Sequence, residues 1–255
     1  MRYQGSKKKL LKYLKPIIEG NINTCKYYVE PFAGGFNCFS HINFKNKIGN
    51  DLNKYTIALW NDIKNGSFIK RYGDFIKNLT KDQYQDVYSD YKNNGNKYSD
   101  SLKGYIGFAC SNSSGWWKGY ANFNKKKNEN HILEAYNGLK KQIDNFLFLK
   151  DCKLENISYD KLKIPNNSFI YCDPPYRSTE GYKVGFDNDQ FWEWCRKQVS
   201  KGNMVLVSEF SAPDDFIKIF SKTMQNGYGV KNQNKTENLY IHKKQVNNFD
   251  CKLSA

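Results

Sequence analysis

Apolar residues recur at helical spacing from about Lys7 to Ile18, where Leu10, Leu11, Leu14, Ile17 and Ile18 share one face and predict an amphipathic helix. The pattern then changes. Tyr27-Tyr28-Val29 is a short aromatic and β-branched run that stops at Glu30-Pro31, as a buried strand does before a turn. Phe32-Ala33-Gly34-Gly35 supplies that turn. A second strand ends near Ile48-Gly49-Asn50-Asp51, and Leu52, Tyr55, Leu59 and Ile63 mark another helix. From about Phe68 to Tyr98 the chain is polar with helical patches. From Ser99 to Asn130, Gly, Ser, Asn, Trp and Lys dominate and periodicity fades, which predicts an inserted module or long loop system. Helical spacing returns with Ile132, Tyr136, Leu139, Ile143 and Phe146. The last third reads as a buried strand at Phe169–Cys172 and a helix carrying Phe191, Trp194, Cys195 and Val199. A strand at Met204–Val207 runs into Ser208-Glu209-Phe210, and Leu239-Tyr240-Ile241 suits a final edge strand.

Strands alternating with helices in this order predict an α/β domain with a largely parallel sheet. Ligands of such sheets sit beyond the carboxyl ends of the strands. That rule singles out Glu30–Gly35, Asp51, Glu155–Asn156, Asp173–Tyr176 and Ser208–Glu209. Glycines in the first turn let the backbone approach a ligand closely, although alone they fit a structural turn equally well. Asp51 changes the reading. It lies 21 residues after Glu30 at the end of the next strand, where an acid grips the hydroxyls of a ribose. The turn lacks a full G-x-G-x-x-G, so a nucleoside without a pyrophosphate fits better than a dinucleotide.

Asp173-Pro174-Pro175-Tyr176 carries different chemistry. Two prolines after a strand fix the backbone and remove two N–H donors. The Asp173 carboxylate and the Pro174 carbonyl then serve as acceptors beside the Tyr176 ring. Two acceptors and a stacking ring suit a planar group bearing an NH₂, such as the exocyclic amine of adenine or cytosine. Its lone pair is delocalised, and accepting hydrogen bonds from both N–H groups would localise it on nitrogen.

Composition adds a partner. A net charge of +15 over 255 residues favours a polyanion, either nucleic acid or an acidic membrane surface. No apolar run reaches about 18 residues, so no membrane span is expected. Met1-Arg2-Tyr3-Gln4-Gly5 lacks an apolar signal-peptide core, so the expected place is the cytoplasm, or wherever its nucleic acid is, and not outside the cell. The seven cysteines are odd in number and scattered, with no C-x-x-C pair, and the three histidines are dispersed. Neither a disulfide framework nor a metal site is predicted.

Arg2-Tyr3-Gln4-Gly5-Ser6-Lys7, Val29-Glu30-Pro31-Phe32-Ala33-Gly34-Gly35, Asn50-Asp51 and Asp173-Pro174-Pro175-Tyr176 occur in an order that resembles the DNA adenine methylases of the alpha group of amino-methyltransferases. The resemblance covers most of the chain. It implies a Rossmann-like S-adenosylmethionine-dependent fold, with 1–66 and 150–255 as the catalytic domain and 67–149 as an inserted target-recognition region. It implies S-adenosylmethionine as cofactor, double-stranded DNA as partner and site-specific adenine methylation of the restriction–modification type. By the same resemblance, Tyr3 and Lys7 contact the cofactor, Lys7 near its carboxylate. Pro31, Phe32, Ala33, Gly34 and Gly35 wrap its methionine part, Asp51 holds the ribose, and Asn156 and Ile157 meet its adenine. Asp173, which also borders the cofactor, and Pro174 accept from the target amine. Pro175 stiffens the loop and Tyr176 stacks on the flipped base, while Ser208-Glu209 falls near the target pocket. Phe36 departs from the family's small residue and is expected to narrow the cofactor pocket.

In that family the interval holding Ser111, Asn112, Trp116, Trp117, Lys118 and Tyr120 recognises the target, by hydrogen bonds to bases or phosphates and by aromatic wedges. Lys125-Lys126-Lys127 would add phosphate contacts, and binding would then weaken steeply with salt. The other readings are methylation of a cytosine amine, of adenine in RNA or of a protein amide, and a basic DNA-binding module that keeps the fold without activity.

Overall fold

The computed structural model describes residues 1–121, 128–146, 151–175, 186–224 and 235–250. Five strands run parallel: β1 (Tyr27–Glu30), β2 (Lys47–Asn50), β3 (Lys153–Glu155), β4 (Ser168–Cys172) and β5 (Met204–Glu209). β6 (Phe216–Met224) and β7 (Lys235–His242) pair antiparallel with each other, and β7 also pairs antiparallel with β5. The sheet order is β3-β2-β1-β4-β5-β7-β6. β1 therefore lies between β2 and β4, and the strand order reverses there. The carboxyl ends of β1 and β4 open side by side at this switch point, where α/β sheets hold their ligands.

Apolar strands fill both faces of the sheet because side chains alternate along a strand. Every residue of β4 is buried. Phe169 and Tyr171 join the core shared with Leu14, Ile18, Trp60 and Leu139, whereas Ile170 and Cys172 join Phe191, Trp194 and Val207 on the opposite face. The helices α1 (Leu11–Asn21), α2 (Lys54–Lys64), α3 (Phe68–Lys77), α4 (Lys81–Lys92), α5 (Asp100–Ala109), α6 (His131–Phe146) and α7 (Asn188–Ser200) cover the sheet and fill the interval between β2 and β3. Four of them start where the sequence offers a short polar side chain. Asn53, Thr80, Ser99 and Asp187 each accept from a backbone N–H of the first turn, and Gln83 returns the favour to Thr80. Among the described residues no helix is long and apolar enough to cross a membrane.

Three elements differ from the sequence expectation. Asp100–Ala109, read as part of a loop system, is the helix α5, and all its residues after Asp100 are buried. A helix buried all round has no polar face, so it shows no amphipathic period. Leu239–Ile241 is no edge: it lies in β7 between β5 and β6. β6 takes the edge, and its alternation of apolar residues with Lys218, Ser221 and Lys222 leaves Ile217 43% exposed. The predicted helix from Lys7 begins as a 3-10 turn over Lys7–Leu10 before α1.

The helix α5 presses so closely on α2 that a methyl group on Gly104 would overlap the Tyr55 carbonyl. Gly→Ala within a helix ordinarily stabilises by about 1 kcal/mol. Here backbone blocks the added atom, and we expect Gly104→Ala to destabilise by about 1–3 kcal/mol in urea unfolding. A gain in stability would show that the two helices are free to part.

Candidate active site

The turn after β1 is built around Tyr3. Gly34 adopts φ +48°, and a Cβ there would sit 2.8 Å from the Tyr3 ring. A Cβ on Gly35 would sit 2.6 Å from the Tyr3 Cβ. Both positions need glycine for this approach. The Gly34 N–H donates to Asp51 Oδ2 at 2.8 Å and the Asn53 N–H donates to Asp51 Oδ1 at 2.9 Å. Burial raises the Asp51 pKa, and those two N–H bonds only partly counter it.

Asn50, beside Asp51, ties the strand ends together. Its Nδ2 donates to the Pro31 and Ile157 carbonyls, both at 2.9 Å, and its Oδ1 accepts from the Ile157 N–H at 3.1 Å. The Ala33 N–H donates to the Asn50 carbonyl at 2.8 Å. Asn156 Nδ2 donates to the carbonyls of Asp51 at 2.8 Å and Leu52 at 3.0 Å. The structure thus gathers Tyr3, Pro31 to Gly35, Asp51, Asn156 and Ile157 at the carboxyl ends of neighbouring strands. Phe32 packs there, with ring contacts to Tyr159 at 5.2 Å and Phe191 at 5.7 Å.

Phe36 does not narrow this region. Its ring is fully buried below the turn, 5.2 Å from Phe39 and 5.4 Å from Trp60. Its φ of +56° explains why glycine suits the position. A left-handed aromatic residue costs about 1–3 kcal/mol, and burying its ring offsets a similar amount.

Asp173 leaves β4 followed by the buried Pro174 and the half-buried Pro175. Lys7 Nζ lies 2.9 Å from Asp173 Oδ1 and 3.4 Å from Glu237 Oε2. Burial works against this ammonium, but the two carboxylates more than offset it and raise its pKa. The resemblance placed Lys7 near a cofactor carboxylate. In the structure the carboxylates it meets belong to the chain itself. Ser208 shares a 3.0 Å hydrogen bond with the Tyr171 hydroxyl, and the Phe210 carbonyl accepts from Asn238 Nδ2 at 2.9 Å and Tyr240 OH at 3.1 Å. Tyr176 lies outside the described residues.

The predicted DNA-contact segment divides in two. Ser111 is buried and bonds the Tyr84 hydroxyl at 2.8 Å, and the Tyr120 hydroxyl donates to the Leu79 carbonyl at 2.7 Å. Trp116 Nε1 donates to the Tyr91 hydroxyl at 3.1 Å, and Trp117 packs 5.2 Å from Tyr91 and 5.3 Å from Tyr88. These four hold the loop in shape. Asn112 and Lys118 face solvent. The Gln4 N–H donates to the Ser114 carbonyl at 2.9 Å, which ties this loop to the segment carrying Tyr3 and Lys7. Lys125-Lys126-Lys127 lies outside the described residues. Sequence reasoning missed Asn50 as an organiser and Glu237 altogether. The signal for Asn50 is an amide directly before the strand-end Asp51. Glu237 carries no such signal, because it meets Lys7 only through the fold.

Parallel strands whose order reverses between β1 and β4, with a glycine turn after β1, Asp51 after β2 and a proline-locked Asp173 after β4, define a Rossmann-like methyltransferase. The model of D12 class N6 adenine-specific DNA methyltransferases matches residues 3–202, and the chain belongs to that family. Family and fold together imply use of S-adenosylmethionine. The chain is 27% identical over 225 residues to the Type II methyltransferase M.FokI of Planomicrobium okeanokoites, covering 79% of this chain and 32% of that one. It is 28% identical over 193 residues to the Type II methyltransferase M.CviBI of Paramecium bursaria Chlorella virus NC1A, covering 70% and 68%. The chain therefore spans about a third of the length of M.FokI. Among solved structures, HI0767 from Haemophilus influenzae aligns over 91% of this chain and 88% of its own at 12% identity, with a TM-score of 0.35.

Beneath the turn, Glu30 is 3% exposed and accepts from the Tyr28 hydroxyl at 2.6 Å. Burial raises its carboxyl pKa from 4.5 to about 8, despite that bond and the Lys47 ammonium nearby. Between those two values the folded chain keeps a proton that the unfolded chain has lost, so stability falls as pH rises through the window. We expect the wild type to lose on the order of a few kcal/mol relative to Glu30→Gln between pH 5 and pH 8, read by denaturant unfolding. Parallel pH profiles for the two proteins would contradict this.

Proposed function

We propose that this chain transfers a methyl group from S-adenosylmethionine to the exocyclic 6-amino group of an adenine in double-stranded DNA, at a specific sequence. The observation that carries the proposal is the pair of carboxylates at the ends of β2 and β4, on either side of β1, each held in a different way. Among the described residues no cation neutralises Asp51. Its oxygens accept one backbone N–H each, from Gly34 and Asn53, and retain lone pairs for hydroxyl donors. A half-buried carboxylate in that state fits a ribose diol. Tyr3, packed on the glycine turn, and the turn itself are the proposed seat of the methionine part, and Asn156 and Ile157 edge the region suited to the adenine ring.

Bound S-adenosylmethionine supplies an electrophilic sulfonium methyl. The residues on the other side prepare the nucleophile. The Asp173 carboxylate and the Pro174 carbonyl accept the two amine N–H groups and localise the nitrogen lone pair. Positive charge grows on that nitrogen as its bond to the methyl forms and the methyl leaves sulfur; the negative Asp173 stabilises that charge until the surplus amine proton passes to water. Pro174 and Pro175 hold both acceptors still, so alignment costs little at the moment of transfer. The base must leave the duplex to reach them, at a cost of about a few kcal/mol. Tyr176 is the proposed stacking partner of the flipped base. Asn112 and Lys118 are the solvent-facing candidates for DNA contact.

Family membership favours adenine in DNA over cytosine, RNA or a protein amide. The Type II names of the two relatives support sequence-specific methylation, with a partner nuclease as the natural counterpart. The test is Asp173→Ala assayed with labelled cofactor on DNA. We expect transfer to fall at least about a hundredfold while S-adenosylhomocysteine still binds, since the variant removes the acceptor for the reacting amine and Lys7 keeps Glu237 as a partner. Substantial residual transfer would remove Asp173 from the assigned role.

A further inference from the structure

β7 enters the sheet antiparallel, so its first residues lie at the same end as the carboxyl ends of the parallel strands. Glu237 pairs with Lys222 of β6 and aims its carboxylate at Lys7. The next residue, Asn238, and then Tyr240 hold the Phe210 carbonyl just beyond β5. β7 therefore reaches the end of β5 directly and the end of β4 through Lys7. It also lies beyond the residues matched by the family model, which stop at 202.

Lys7 is 6% exposed and its ammonium stands between two carboxylates, at 2.9 Å from Asp173 and 3.4 Å from Glu237. A buried Lys7–Asp173 pair alone would be neutral. Its ammonium would hold Asp173 fast and weaken it as an acceptor for an amine that is gaining positive charge. A second carboxylate on the same ammonium changes that balance. Two carboxylates share one Lys7, and Lys7 is held by both. In a water-poor site such fixed charges act more strongly than in bulk solvent.

Resting on the proposed adenine methylation, we propose that Glu237 is a positioning residue of the reaction. Acting through Lys7, it draws the ammonium partly away from Asp173 and fixes that carboxylate where the target amine develops its charge. Glu237 itself touches neither the base nor the methyl donor. Its removal affects the transfer step rather than binding of either substrate.

The experiment uses the full chain, tritiated S-adenosylmethionine and plasmid DNA under single-turnover conditions. Glu237→Gln keeps shape and removes charge. We expect its transfer rate to fall about tenfold, with the affinity for S-adenosylhomocysteine and the melting temperature unchanged. Glu237→Asp keeps the charge and is expected to recover most of the rate. In a Lys7→Met background, Glu237→Gln is expected to cause no further loss, because coupled residues are not additive. The proposal is overturned if Glu237→Gln transfers as fast as the wild type. It is equally overturned if Glu237→Asp is no faster than Glu237→Gln, or if the loss tracks a fall in melting temperature. Absence of adenine methylation by the wild type would overturn the proposed function and this role with it. Wild-type activity that Glu237→Gln leaves intact overturns this role alone.

Discussion

The carboxyl ends of β1 and β2 and the segment after β3 are held in one place by the side-chain amide of Asn50. It is 1% exposed and serves three backbone groups on two other segments, the Pro31 carbonyl and both polar groups of Ile157. Each of those groups would cost about 1–3 kcal/mol if buried without a partner. No apolar residue of similar size replaces this. The turn over Pro31–Gly35, the carboxylate of Asp51 and the loop at Asn156 take their positions from that knot. Ala33 adds a fourth bond, through the Asn50 backbone. The pocket proposed for the cofactor is in this sense preorganised.

The carboxylates that follow β2 and β4 do opposite things with their charge. Asp51 is stabilised by backbone N–H donors and receives no cation among the described residues, which leaves it an acceptor for hydroxyls. Asp173 is matched by the buried Lys7, which Glu237 shares. One residue type thus supplies a binding group and a reacting-group acceptor, and the difference comes from what stands within 4 Å of each. Below them Glu30 is held largely protonated by burial, so a third acid at the same strand ends adds little negative charge at neutral pH.

Much of this was legible in the sequence, and the rest was hidden for physical reasons. Strand-end positions could be read because parallel strands are apolar runs that stop abruptly at Glu30, Asp51 and Asp173. The helix α5 could not, since burial on every side removes the period that marks a helix, and its glycines serve contacts with Tyr55 and Trp116. The ordering of β7 before β6 is a property of long-range pairing and leaves no local trace. Phe36 was misplaced because its backbone φ, not its bulk, decides where the ring goes. Ser111, Trp116, Trp117 and Tyr120 have the residue types of a DNA-contacting loop, and the same types serve as well to pin it. Glu237 is separated from Lys7 by most of the chain, and only the closed sheet brings them together.

The central claim is that the acceptors at the end of β4 present an adenine amine, in DNA, to a sulfonium methyl. It is tested most directly by incubating unmethylated plasmid DNA with the purified chain and S-adenosylmethionine, digesting to nucleosides and identifying the methylated product by mass. The account predicts N6-methyladenine as the new base. N4-methylcytosine, or no methylated base in DNA that the protein binds together with the cofactor, would contradict it.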